Sequence, residues 1–506
     1  MRKNITKKFF FSLFIFYFLC SLLLAQKANQ EQNWQSFSEF ITRIMEDWRV
    51  PGLGIAVIED GKVVFSEGFG LRDIKQGLKV SPHTLFPIAS CTKTFTAVSL
   101  AILIDEGKLG WDIPIREYFP SLRLYDEYAT NHITIRDLLA HRSGLPQHYR
   151  MYFNRDISRK EIIDRLRFLE PSKGFREYFQ YSNLNYTLAG YLLEQVTNMS
   201  WETFVQERIF NALEMKSTNF SVTDSQKTED YALPYREEDG KVKEIPFFDV
   251  NRMGTGPAGS VNSSAEEMAN WILFHLNKGK FKDRQIISEA SLSETHKPQI
   301  VVPGGMSDEM FYSSYGMGWG ITSYRGHLML SHSGGFDGFG CYVSLMPRDN
   351  IGCVVLCNKE GTSIPYILTC TVYDRLLGLS EIPWNERLKE RKARSREVAE
   401  EPKREDICPQ ALKPAHPLEE YCGRFEHPAY GILNIEKEGN QLKVTHNNLQ
   451  STLVHCYYDV FETINKTFGQ FKFSFLSDEE GVINRIEVPF EPSVNNIVFR
   501  RPPQKK

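Results

Sequence analysis

Three short runs of the chain hold the side chains that could do chemistry together. Ser90 lies three residues before Lys93 in Phe86-Pro87-Ile88-Ala89-Ser90-Cys91-Thr92-Lys93, so on a helix the two share a face. A serine hydroxyl is a poor nucleophile until a base takes its proton, and a neutral lysine amine can be that base. The apolar run 84–88 predicts an extended approach, and Thr94 to Leu103 predicts a buried helix. Ser90 then stands at a helix start, where unpaired backbone N–H groups can stabilise an oxyanion. Tyr181-Ser182-Asn183 opens a second helical run over 184–196, and His332-Ser333-Gly334-Gly335 follows an expected strand over 327–331. Each piece alone has a plainer reading. Ser90 and Lys93 fit a helix start with an exposed lysine, Tyr181 and Asn183 fit helix caps, and His332 fits a partner for a backbone group.

In this order and at this wide spacing, the three runs resemble the motifs of the penicillin-recognising serine hydrolases: Ser-x-x-Lys, Tyr-x-Asn, and Lys-Thr-Gly or His-x-Gly. That family includes class C β-lactamases, D-amino-acid peptidases, related esterases and CubicO-type peptidases. The resemblance implies an α/β (α+β) fold, a β-lactamase/transpeptidase-like antiparallel sheet flanked by helices with a helical subdomain. It implies acyl-enzyme catalysis by Ser90, Lys93 and Tyr181, with Asn183, His332, Gly334 and Gly335 binding substrate. The oxyanion site it implies is the backbone N–H of Ser90 together with that of Gly335. The substrates it implies are peptides containing D-amino acids or β-lactam-like compounds. A carboxylesterase of the same fold, or a catalytically weak penicillin-binding scaffold, remains the alternative.

One departure bears on substrate. His332 stands where class C β-lactamases carry lysine, and an imidazole is cationic only below about pH 6.5. This weakens a dedicated β-lactamase reading and favours a peptidase or esterase. A cationic His332 would hold a substrate carboxylate. The run Leu138-Leu139-Ala140-His141-Arg142-Ser143-Gly144-Leu145 is similar to the family's Leu-Leu-x-His-Thr-Ser-Gly-Leu, with Arg142 replacing threonine; His141 is expected to fix the turn. Pro257-Ala258-Gly259 resembles a loop that borders the site in relatives. No Gly-x-Ser-x-Gly elbow of the α/β-hydrolase type is present.

The surrounding elements follow from periodicity. Apolar residues at helical spacing over 37–48, stopped by Pro51, predict a helix, and 54–58 with 63–66 predict a hairpin. Ser264-Ala265-Glu266-Glu267 reads as a capping box. Tyr315 to Gly320 alternates glycine with large residues, as in a strand approached closely by another backbone. Strands over 340–345 and 352–357 and a helix over 364–377 close the domain. The glycine-rich run 254–260 lacks the Gly-Lys-Ser/Thr ending of a phosphate loop.

A chain of 506 residues, 42% apolar and 13% aromatic, has material for two cores. Four divisions are expected: a signal peptide over 1–25, a β-lactamase-like hydrolase over 26–380, a charged linker over 381–415, and a lipocalin-like β domain over 416–506. The last resembles the tail behind some CubicO-type hydrolases. It carries no catalytic constellation, so a chain ending before His416 is expected to stay a folded hydrolase. Arg2, Lys3, Lys7 and Lys8 before the apolar run 9–24 have the layout of a secretory signal. Secretion or periplasmic export is therefore expected; an uncleaved anchor, with transient membrane association, is the alternative. A net charge of −3 without a basic block argues against nucleic acid. The expected partner is a small-molecule or peptide substrate. The nine cysteines suggest no disulfide framework, and neither a metal cluster nor a cofactor is expected.

Overall fold

The computed structural model describes residues 34–304, 307–400, 413–465 and 467–503. The expected signal peptide and the middle of the expected linker lie outside the described residues. The first domain is built on a nine-stranded antiparallel sheet among the described residues. From one edge it runs Ile300–Val301, Met310–Tyr315, Gly320–Tyr324, His327–Phe336, Phe339–Met346, Ile351–Cys357, Gly52–Glu59, Lys62–Asp73 and Leu78–Lys79. Its central strands are buried on both faces because helices cover both. Along Gly52–Glu59, Leu53, Ile55 and Val57 pack against the helix over 34–48 and helix Ile364–Leu376, while Ala56 and Ile58 face the other core. Cys353, Val355 and Cys357 alternate with Val354 and Leu356 in the same way.

The second core packs the helix Thr92–Asp105 between the sheet and a helical subdomain that includes Arg159–Arg165, Asn183–Thr197 and Trp201–Val205. Thr92 to Leu103 are all buried, so this helix has no solvent face. Ser90 precedes it in the tight turn Ala89–Cys91, where Ala89 has φ 47°.

Several sequence expectations need correction. His332-Ser333-Gly334-Gly335 does not follow a strand but lies inside one, His327–Phe336, paired with Phe339–Met346. Tyr315 to Gly320 is not one strand: Tyr315 ends one strand and Gly320 begins the next, and the turn 316–319 between them is closed by Gly316 N–H to the Trp319 carbonyl (2.8 Å). The close approach is nonetheless present: Gly318 has φ 83°, and a Cβ there would lie 3.0 Å from the Lys93 carbonyl oxygen. Ser264 caps Ala265–Leu276 through Glu267 N–H, but the Glu267 carboxylate instead accepts from Ser217 and Thr218 N–H (2.8 Å each). The charged stretch after 381 opens as a helix, Trp384–Glu400, anchored on the first domain. Asn385 accepts from Trp48 Nε1 and donates to Asp47 (2.8 Å each).

The C-terminal domain is a closed barrel of eight antiparallel strands, from Gly423–His427 to Ile497–Arg500. Its period-2 pattern fills the interior: Phe425, Leu433, Val444, Phe461, Phe473, Phe475 and Phe499 are all buried.

Candidate active site

The turn 89–91, the helix start at Asn183 and the strand His327–Phe336 bring the predicted residues to one place. Ser90 Oγ accepts from Tyr181 OH at 2.9 Å and lies 3.1 Å from Lys93 Nζ. Lys93 Nζ also donates to Asn183 Oδ1 (2.8 Å) and to the Ala258 carbonyl (2.7 Å). Burial pulls the Lys93 pKa down from 10.5 to about 7. A neutral amine has two N–H donors and one lone pair. The carbonyls of Asn183 and Ala258 take the donors, so the lone pair is left for the Ser90 proton. Burial pushes Tyr181 the other way, up from 10.0. Tyr181 is therefore a neutral phenol that donates to Ser90, opposite the Lys93 amine.

The helix Asn183–Thr197 begins without a side-chain cap from Ser182. Its first N–H groups are met from outside: Ser182 N–H by His141 Nδ1 (3.2 Å) and Asn183 N–H by Gln147 Oε1 (3.1 Å). His141 is buried, neutral and packed with its ring tilted 37° to that of Tyr181, the centroids 4.4 Å apart. It fixes the turn, as expected. The Pro257-Ala258-Gly259 loop borders the site through the Ala258 carbonyl.

Gly334 must be glycine, because a Cβ there would meet the Ile88 carbonyl oxygen at 2.2 Å. This contact presses the strand onto the serine turn, and Gly335 lines the same cleft as Ser90. His332 corrects the charge expectation. Its Nδ1 sits 2.6 Å from the Ser333 carbonyl and must carry the proton, so Nε2 accepts from Tyr315 OH (2.9 Å). Burial, and then the charge of Lys93, hold its pKa down at about 3. His332 is a neutral strut behind Tyr181 and has no cation to offer a carboxylate. Cys91 is buried against the His332 carbonyl and the Cys341 thiol, which makes it packing.

The cleft, about 130 Å³, was largely missed by sequence reasoning. Besides Ser90, Asn183 and Gly335 it is lined by Tyr149, Tyr152, Phe248, Val250, Met253 and Phe336, with no lysine or arginine on its wall among the described side chains. The signal was the aromatic density of Tyr149-Arg150-Met151-Tyr152-Phe153 and Phe247-Phe248.

The barrel also contacts the segment that lines the cleft. His148, at φ 42°, donates its N–H to Glu491 (2.9 Å), and its Nδ1 lies 2.8 Å from Tyr430 OH. The Arg150 guanidinium bonds the Phe468 carbonyl and lies 5.0 Å over Phe471. Asn447 donates to the Arg150 and Phe153 carbonyls (3.2 Å each). The segment 147–153 is thus held between the barrel and the catalytic cleft.

Comparison with known proteins agrees with this fold. A family model described as Beta-lactamase matches residues 37–365, and one described as a domain of unknown function, DUF3471, matches 409–501. Unguisins hydrolase ungD' of Aspergillus campestris is 29% identical over 432 residues, which cover 81% of this chain and 79% of that protein. Protein flp of Staphylococcus aureus (strain MW2) is 30% identical over 343 residues, 66% of this chain and 65% of flp. In fold, the octameric penicillin-binding protein homologue from Pyrococcus abyssi superposes with a TM-score of 0.61 at 22% identity, covering 92% of this chain and 99% of that one. A class C β-lactamase from Rhodobacter sphaeroides gives 0.54 at 22% identity, covering 67% and 98%.

Proposed function

The chain belongs to the Beta-lactamase family, and on that premise we propose a Ser-Lys-Tyr acyl-enzyme mechanism acting on neutral amide or ester bonds with an apolar acyl side. The observation that carries the mechanism is the buried amine of Lys93, 3.1 Å from Ser90 Oγ, with its N–H groups taken by two carbonyls. In acylation Ser90 Oγ attacks the substrate carbonyl as Lys93 takes its proton. The negative oxygen is met by the backbone N–H groups of Ser90 and Gly335. As the intermediate collapses, the scissile bond breaks and Tyr181 passes its proton to the leaving amine or alcohol. Lys93 restores the phenol. Water then attacks the acyl-serine with the same groups acting in reverse, releasing the acid and free Ser90.

The aromatic cleft and the neutral His332 support an apolar, uncharged substrate over one ending in a carboxylate. Among the activities of the family, this favours an esterase, or a peptidase cutting within a peptide, over a carboxypeptidase; D-amino-acid peptides fit where the bond is internal. A relative named as a hydrolase of unguisins is compatible with that choice. The test is intact-protein mass spectrometry after a fluorophosphonate, together with turnover of neutral aryl esters. Labelling and turnover should both vanish in Ser90→Ala with thermal stability nearly unchanged. Labelling that persists in Ser90→Ala would sink the mechanism. Export is part of the same reading, and N-terminal sequencing of protein recovered outside the cytoplasm should begin at Gln26; a chain retained with Met1 would refute it.

A further inference from the structure

The helical subdomain contains a second cavity, of about 390 Å³, whose wall shares no residue with the catalytic cleft. Its body is leucine: Leu138, Leu145, Leu166, Leu169, Leu184 and Leu188. Two exposed tyrosines, Tyr125 and Tyr128, stand at its mouth. Deep inside lie two polar side chains, Ser143 and Asn185, 8% and 2% exposed. Ser143 Oγ accepts from Leu145 N–H (3.2 Å) and donates to Asn185 Oδ1 (2.9 Å). With Oδ1 taken by Ser143, Nδ2 is the remaining polar group of the carboxamide. Asn185 Nδ2 is then a buried donor with no hydrogen-bond partner among the described residues.

We propose that this cavity is a ligand site, separate from the catalytic cleft, for a neutral apolar small molecule whose carbonyl oxygen accepts from Asn185 Nδ2. The size is that of a pocket for a small organic ligand, and the leucine wall favours an apolar body. Buried donors in folded proteins are almost always paired, and a carbonyl oxygen is the complement of an amide N–H. Charge selects against ions. The wall carries Asp126 and Glu177 against Lys173, and the polar end offers no countercharge to a buried ion. The proposed reaction uses none of these residues, so the inference does not rest on it.

The probe is Prodan, a neutral naphthalene with a propionyl carbonyl, titrated into the full chain. Saturable one-to-one binding with blue-shifted emission is expected, unchanged in Ser90→Ala. Asn185→Leu should weaken Prodan about fivefold to tenfold, the value of one net hydrogen bond. The same variant should leave N-phenyl-1-naphthylamine, which has no carbonyl, within about twofold. Leu188→Trp fills the cavity and should abolish binding of both. Hydrogen exchange on the wild-type chain decides the site without any variant, with Prodan protecting residues 124–129 and 166–175. No saturable binding, meaning a solvated cavity only, overturns the proposal. So does protection confined to residues 248–259, or full affinity in a folded Leu188→Trp. An equal effect of Asn185→Leu on both probes overturns the carbonyl assignment.

Discussion

Lys93 should write its burial into the pH dependence of stability as well as of rate. Its amine titrates at about 7 in the folded chain against 10.5 when unperturbed, because burial disfavours the ammonium. The neighbouring Cys91 opposes that shift but does not overcome it. His141 and His332 are neutral, and burial keeps Tyr181 and Tyr186 protonated. Between pH 7 and 10.5 the unfolded chain therefore holds one more proton than the folded one, and stability rises with pH by about 1.4 kcal/mol per unit. The whole term is about 5 kcal/mol, absent below pH 7 and complete above pH 10.5. Lys93→Met removes it. Urea unfolding at a series of pH values should then give a wild-type-minus-mutant difference that climbs by roughly 2 to 3 kcal/mol from pH 7.5 to 9.5. The buried thiols of Cys341, Cys353, Cys357 and Cys370, raised by burial, are common to both proteins and cancel in that difference. Wild-type kcat/KM for a neutral ester should rise through an apparent pKa near 7 and level off, since the neutral amine is the base. Stability curves that run parallel would refute a neutral, buried Lys93.

Other groups give sharper, smaller tests. The ratio of kcat/KM for a matched carboxylate and methyl-ester pair should stay flat from about pH 5.5 to 8.5, since His332 stays neutral throughout; a fall near pH 6.5 would restore a cationic His332. Tyr181→Phe removes the 2.9 Å donor to Ser90 and should lower kcat about 10²- to 10⁴-fold, with KM little changed; an unchanged kcat removes Tyr181 from proton transfer. Arg150→Ala cuts a contact between the barrel and the cleft loop, and should raise KM for bulky aryl esters more than for acetyl esters; equal effects on both would mean that the loop does not shape the cleft. A chain ending before His416 should keep Ser90 reactive towards a fluorophosphonate but lose most ester turnover, and a truncation with full turnover would return the barrel to an accessory role.

What was legible in the sequence was what local pattern dictates. The three-residue spacing of Ser90 and Lys93, the apolar strand over 352–357 and the helical period over 37–48 all survive in the structure, because each depends on near neighbours. The errors fall where distant segments decide. A Glu three residues after Ser264 looks like a capping partner, yet Thr218 and Ser217 present N–H groups to its carboxylate and win it. Tyr315 to Gly320 reads as a strand, but Gly318 is needed because the first turn of the serine helix lies against it. The cleft wall combines residues from 149–152, 248–253 and 335–336, and only the fold brings these together.

His332 carries this reasoning furthest. From sequence it is a titratable group at a position where relatives hold a cation. In the fold, burial and then the Lys93 charge remove the charge against the opposing pull of the Ser333 carbonyl, which holds the remaining ring proton while Tyr315 donates to the other nitrogen. Protonation at Nε2 would set an N–H against that Tyr315 hydroxyl proton and place a buried cation near Lys93. The Lys93 charge already lowers His332, and by reciprocity a charged His332 would depress Lys93 further. A lysine at 332 would bring a second ammonium into the same buried space. His332→Lys should therefore cost stability and lower the pH limb of kcat/KM below that of the wild type, without gaining affinity for carboxylates. The measurement is that limb in wild type and variant on one neutral ester. A limb that stays at pH 7, with tighter carboxylate binding, would mean that the site can still host the cation its relatives use.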